Sequence, residues 1–257
     1  MTGRVLVLSG FLLAAPLAAQ DFSGLPEPLD TDRPDFTEGT STVPAGHYQL
    51  EGGYTFTRQG KDESQSLGEL LLRIGVNERI EARLGIGSYS WDDPGVAGER
   101  RINGYEDPVL GLKIRLVPDD AKTQLALLLN TTVPVGSDEL TADDWQPEGK
   151  LVLGRDVTDR FSLASMLVCA YASDGGERFS QLAASVSAGF SLTERWGAYL
   201  EAYGFSKESV DGSSTTYLDT GLTYLLSPDV QFDVRVGAGL DSPDPNWYAG
   251  LGAAVRF

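Results

Sequence analysis

The sequence predicts an all-β chain: a transmembrane antiparallel β-barrel of about twelve strands, with periplasmic termini, short periplasmic turns and longer extracellular loops. Three observations carry this expectation. From Trp247 to Phe257 the chain alternates two faces, Val255, Ala253, Leu251, Ala249 and Trp247 on one, Arg256, Ala254, Gly252, Gly250 and Tyr248 on the other. Successive strand residues point to opposite sides, so one face suits lipid and the other a polar, glycine-rich interior. The N-terminus reads as an export leader, and the connections between strand-like segments alternate in length. The rival reading of the C-terminal pattern, an edge strand of a soluble sandwich, accounts for neither of the other two.

In chain order, residues 1–19 form the leader. Arg4 supplies a positive charge, Val5 to Leu17 an apolar stretch, and Leu17-Ala18-Ala19 a small-residue cleavage site, with the cut near Ala19. A bilayer-spanning helix needs about 20 apolar residues, so the leader is removable rather than an anchor. The one cysteine, Cys169, lies far downstream, which excludes lipid attachment at a new N-terminus and an internal disulfide. Acidic residues outnumber basic ones 37 to 20, a net charge of −17, which argues against nucleic acid as a partner.

Residues 20–46 are rich in proline and acid and show no hydrophobic period. Two readings stand. One is an unstructured periplasmic lead. The other is a segment folded into the periplasmic mouth as a plug or gate, with Arg33 pairing a lumen carboxylate and Phe36 wedged against the wall.

The barrel is expected over 47–257. Its first strand sets Tyr48, Leu50, Tyr54 and Phe56 on one face against His47, Gln49, Glu51, Thr55 and Thr57 on the other. Further strands read at 67–76, 79–89, 108–117, 122–133, 148–155, 160–171, 178–192, 196–205, 215–226, 230–240 and 247–257. Asn77-Glu78, 118–121, 156–159, 193–195 and 227–229 are tight turns, whereas 90–107 and 134–147 are long links, which is the outer-membrane pattern. Tyr48, Phe161, Phe190, Trp196, Tyr224, Phe232 and Phe257 fall near the short-turn end of their strands and Phe56 and Trp247 near the other, as two aromatic girdles require.

Strand parity turns a near-balanced set of charges inward: Glu51, Glu69, Glu81, Glu201, Asp219 and Asp233 against Arg73, Arg83, Lys113, Arg115, Lys150, Arg235 and Arg256. Arg73 reaches Glu81 across the Asn77-Glu78 turn in either plausible register. Such pairs either close the lumen or line a narrow polar channel. Parity also turns Tyr89, Tyr199, Tyr203 and Phe205 inward, as an aromatic path or as filling.

Two stretches, Thr31-Asp32-Arg33-Pro34-Asp35-Phe36-Thr37-Glu38 and Val43 to Gly53, resemble an outer-membrane transporter family of the meta-pathway of phenol degradation, as do Asp219 to Pro228 and Val234 to Gly237. The resemblance implies an outer-membrane barrel that passes small molecules, aromatic or hydrophobic compounds among them. Its implied partners are outer-membrane lipids, lipopolysaccharide, a small-molecule substrate, and the barrel assembly machinery reading Phe257. A closed structural or adhesive barrel is the alternative.

No catalytic residue, metal or cofactor is expected. A lipid-modifying enzyme resembling a Ser/His lipase needs histidine beside serine on the lipid face near the outer rim, and His47, the sole histidine, starts the first strand at the opposite end and points inward. One histidine does not build a zinc site. The acidic pairs Asp92-Asp93, Glu106-Asp107, Asp138-Glu139, Asp143-Asp144 and Asp241 with Asp244 lack calcium-loop spacing and read as a solvated rim.

Overall fold

The computed structural model describes residues 22–96, 98–118, 120–241 and 246–257. The expected leader and its cleavage site, Asp119 of one tight turn and Asp244 of one acidic loop lie outside them. Fourteen strands follow in order: β1 (Tyr48–Gln59), β2 (Asp62–Asn77), β3 (Ile80–Ile86), β4 (Tyr89–Asp93), β5 (Ile102–Tyr105), β6 (Val109–Arg115), β7 (Gln124–Thr132), β8 (Gln146–Thr158), β9 (Phe161–Asp174), β10 (Glu177–Ser191), β11 (Trp196–Phe205), β12 (Thr215–Ser227), β13 (Val230–Gly239) and β14 (Asn246–Arg256). They make twelve staves. The 70–77 part of β2 pairs with β3 and the 63–67 part with β4, while β6 lies beside β3 and β5 beside β4, so two staves are interrupted. Neighbours are antiparallel, and β1 bonds β2 on one side and β14 on the other. Closure pairs the wall strands on both sides among the described residues, save the outer edge of β5.

The alternation read from the sequence decides the two faces. Gln49, Glu51 and Thr55 of β1 and Tyr248, Ala254 and Arg256 of β14 are buried, whereas Tyr48, Leu50, Trp247 and Leu251 are exposed. Leu67, Leu112, Leu151, Leu167, Leu182, Val186, Leu200, Leu218 and Val234 continue the exposed belt around the outside. At the short-turn end the aromatics pair across strands: Trp196 and Tyr224 stand with ring centroids 4.7 Å apart and Phe161 and Phe190 5.3 Å apart. Phe56 and Trp247 pair at 5.4 Å toward the other end. The turns are held by side-chain acceptors. Asn77 Oδ1 accepts the Arg79 and Ile80 amides at 2.9 and 3.0 Å, and Thr193 Oγ1 accepts those of Arg195 and Trp196 at 3.2 and 3.0 Å, as such turn residues do.

One irregularity corrects the sequence reading. Between Glu51/Leu71 and Gly53/Gly68, β2 advances one residue more than β1. This is a β-bulge, and it uses positive φ at Gly68 (107°) and Glu69 (44°). The extra residue reverses the facing of everything above it on β2, and the adjoining staves follow in register. Tyr89 sits opposite Leu67 and Tyr105, both exposed, and therefore faces outward rather than into the lumen. Its neighbours are Trp91 and Tyr105, at 4.7 and 5.0 Å. Ser88 and Ser90 take the buried positions. The expected long link over 90–107 holds all of β4 but Tyr89 and all of β5.

The acidic rim is largely tied down. Arg101 meets Asp93 at 2.6 Å, Arg100 meets Glu139 at 2.6 Å and Arg178 meets Asp144 at 2.5 Å. Asp107 accepts the amides of Val135, Gly136 and Ala142, which folds the β7–β8 loop over the edge of β5.

Leu251 sits at mid-strand on the exposed face, between Tyr54 and Val234. Replacing it by arginine is expected to cost about 2–4 kcal/mol in bilayer-embedded unfolding by urea. A loss below about 0.5 kcal/mol, the usual size for a neutral surface change, contradicts the lipid-facing assignment.

Candidate functional site

Residues 22–46 do not lie apart from the barrel. They enter at the short-turn end, run up inside the wall, reverse near Phe36 and return to that end before β1. At entry Asp229 accepts the amides of Phe22 and Ser23, both at 3.0 Å. Farther in, Asp32 is within bonding distance of Lys113 (2.7 Å) and Arg83 (2.6 Å). At the apex Arg235 donates to the Pro34 carbonyl at 2.9 Å and to Thr55, the eighth residue of β1. On the way back Glu38 pairs with Arg83 at 2.7 Å and Lys150 at 2.9 Å, and Val43 donates to Glu81 at 2.8 Å.

Two kinds of bond hold the segment. Charged side chains of the wall bind its backbone, since its irregular course has no sheet partner and its amides and carbonyls still need one. Glu51 accepts the Asp32 amide at 3.2 and 3.1 Å, and Glu201 accepts those of Phe36 at 2.6 Å and Thr37 at 2.8 Å. Arg73 donates to the carbonyls of Asp30 (3.0 Å) and Ser41 (3.2 Å), and Arg256 to that of Glu27 (2.6 Å). The second kind joins side chain to side chain. Arg33 meets Glu69 at 2.6 Å and Asp233 at 3.4 Å. At Gly53 and Gly252 a Cβ would run into that guanidinium, so the glycines on the inner faces of β1 and β14 make room for Arg33.

Glu51, Arg73, Glu81, Arg83, Lys113, Glu201, Asp219, Asp233 and Arg256 are buried. Glu69, Lys150 and Arg235 retain a little exposure. Arg73 stands opposite Arg83 and diagonally reaches Glu81 at 2.9 Å. Arg115 lies nearest the mouth, donating to the Glu78 carbonyl. It lines a cavity of about 780 Å³ between the segment and the β7–β9 wall, together with Thr40, Lys122 and Arg155.

Burial alone would raise the Asp32 carboxyl, but Arg73, Lys113 and Arg83 hold it well below the usual carboxylate range. Glu38 is likewise lowered, by Arg83 and Lys150 against the effect of burial. Asp35 goes the other way, raised by burial and by the facing carboxylate of Glu201. At the entry, Asp229 is lowered against burial by its bonds from Ser23 and Arg256.

The lumen also carries an apolar patch beside its paired charges. On the inner face of β7–β10, Leu128, Val152, Met166, Val168 and Ala183 form an apolar cluster, and Phe36 and Phe205 pack against it. Phe36 stacks on Tyr203 with centroids 4.6 Å apart and planes at 14°, and meets Phe205 edge-on at 5.4 Å. Tyr203 stacks in turn on Tyr217 at 5.0 Å and bonds the Tyr248 hydroxyl at 3.0 Å. Tyr199, buried below them, donates to Asp219 at 2.8 Å. Tyr203 and Phe205 thus gather with Phe36, whereas Tyr199 bonds Asp219 below them and Tyr89 faces outward.

Sequence reasoning missed Asp32, Glu38 and Asp229 as anchors and Tyr217 and Tyr248 as ring partners. Parity places both tyrosines inward, so they were findable. The acids of Thr31 to Glu38 gave no sign of their partners. His47 contacts the Ala45 and Ser23 carbonyls through its ring nitrogens, at 3.2 and 3.3 Å.

Comparison with solved structures places this fold among outer-membrane barrels. The COG4313 outer membrane channel from Pseudomonas putida F1 is similar at a TM-score of 0.70 and 12% identity, over 88% of this chain and 99% of that one. The KdgM porin is similar at a TM-score of 0.56 and 10% identity, over 81% of this chain and 99% of that one. No curated protein matches. A family model aligns with residues 31–257, and by that match the chain belongs to the family described as "Putative MetA-pathway of phenol degradation".

Proposed function

We propose that this protein is an outer-membrane channel for small molecules and that residues 22–46 are its plug, entered from the periplasmic side. The observation that carries the reading is the way the lumen is filled. A closed structural barrel packs its interior with wall side chains. Here a separate segment fills it, held by hydrogen bonds and ion pairs that can be exchanged for water or solute, beside a cavity of about 780 Å³. The aromatic and apolar wall around Phe36 favours aromatic or hydrophobic cargo, in keeping with the family's description. The similar proteins being a channel and a porin supports the same reading. A hydrolase is disfavoured by the surroundings of His47, whose ring nitrogens contact backbone carbonyls. Export by removal of residues 1–19, and recognition of Phe257 by the assembly machinery, complete the proposal.

Deleting residues 22–42 from the mature protein is expected to raise single-channel conductance severalfold in a planar bilayer. Unchanged conductance, from protein shown to be folded, contradicts the plug.

The anchors also give a pH dependence. Asp229 and Asp32 have folded-state pKa values depressed below their unfolded values, so their contribution is present above the ordinary carboxylate range and is lost as pH falls through the depressed values. Plug release through these two anchors, read as conductance, is expected to rise as pH falls below about pH 4, the ordinary aspartate range. Conductance that stays flat below about pH 4 contradicts these anchors.

A further inference from the structure

The apex of the N-terminal segment places one ring, Phe36, on a rack of rings that belongs to the wall. Tyr203 and Tyr217 are cross-strand partners stacked at 5.0 Å with planes at 11°. Phe205 closes one side edge-on to both, at 6.0 and 6.4 Å. These three lie in the half of the barrel toward the long loops, since β11 ends at Phe205 and β12 begins at Thr215. A solute arriving from outside therefore meets this rack before it meets the ion pairs lower down.

The rack also carries an unused polar group. Asp219 is the next inward residue below Tyr217 on β12 and stands opposite Glu201. It is buried, its Oδ2 takes the Tyr199 hydroxyl at 2.8 Å, and its Oδ1 accepts no hydrogen bond of good geometry among the described residues, with Tyr248 and Glu201 as its polar neighbours. A buried acceptor left open beside stacked rings suits a ring that bears a donor. Phe36 supplies the ring and not the donor.

We propose that the Tyr203 face covered by Phe36 is a binding site for a single-ring aromatic solute bearing a hydroxyl, with Phe36 as its resident competitor. The solute's ring stacks on Tyr203 where Phe36 now lies, and its hydroxyl donates to Asp219 Oδ1. The inference rests on the plug reading and adds to it what would dislodge the apex. The Phe36 ring is the one apolar group of the apex in this rack, whereas Arg33, Asp32 and Glu38 are held elsewhere by ion pairs. Removing the ring therefore frees the site without removing the segment.

The test is a titration of the refolded mature protein in detergent with 4-fluorophenol, followed by fluorine NMR. Phe36→Ala is expected to bind the probe roughly tenfold tighter than the unmodified chain, the size of effect that one stacked and one edge-on contact can supply. Adding Tyr203→Leu is expected to abolish the gain, and cyclohexanol, which has the hydroxyl without the aromatic ring, is expected not to displace the probe. Equal affinity of Phe36→Ala and the unmodified chain, or a gain that survives Tyr203→Leu, overturns the proposal. Phe36→Leu, which keeps apolar bulk but no aromatic face, is expected to fall between the two and guards against a variant that fails to fold. Conductance of the same proteins separates the two ideas: equal affinities sink this inference whatever the conductance, whereas a plug deletion that conducts no better sinks the plug and leaves the measured affinities standing.

Discussion

A chain segment that runs through the inside of a barrel has no strand to pair with, yet its amides and carbonyls still need partners once water is displaced. The rest of this lumen depends on how that need is met. Glu51, Glu81 and Glu201 accept amides of the N-terminal segment, and Arg73, Arg235 and Arg256 donate to its carbonyls. The wall charges therefore act as substitutes for a sheet edge. Their mutual pairing, as between Arg73 and Glu81 at 2.9 Å, keeps each charge compensated while it does so. Removing one partner of such a buried pair typically costs about 3–5 kcal/mol, because the other is left uncompensated.

The same constraint explains why the wall is divided. Charged staves lie where the segment's backbone and its own ionised side chains pass, and Glu69, at the bulge, meets Arg33 at 2.6 Å. Where Phe36 meets the wall at the apex, β7–β10 present an apolar cluster instead. Ring stacking there and ion pairing elsewhere are different interactions with different sensitivities. Salt and acid act on the second and leave the first largely untouched.

Much of the barrel was legible because a half-buried strand announces itself by period two. Trp247 to Phe257 and Tyr48 to Thr57 face as their alternation predicts, and the inward charges follow from the same parity. Tyr89 was misread because parity counting assumes an unbroken strand. The bulge lies some twenty residues earlier in sequence, and Gly68 was its only local sign, since a glycine inside a strand marks such a break. The contacts of residues 22–46 were illegible for a different reason. An aperiodic segment carries no facing information, and its partners, such as Asp229 for Ser23 and Asp233 for Arg33, lie about two hundred residues away. Only the kinds of residue, an arginine and a phenylalanine among acids and prolines, hinted at insertion.

The central claim is that wall carboxylates hold the backbone of the N-terminal segment inside the lumen. Hydrogen–deuterium exchange of the refolded mature protein tests it most directly, read at the amides of Asp32, Phe36, Thr37 and Val43. The account predicts protection comparable to that of the neighbouring strands, because each of these amides is donated to a buried carboxylate. Exchange at the rate of an unfolded chain at these four positions, with the strands protected, contradicts it.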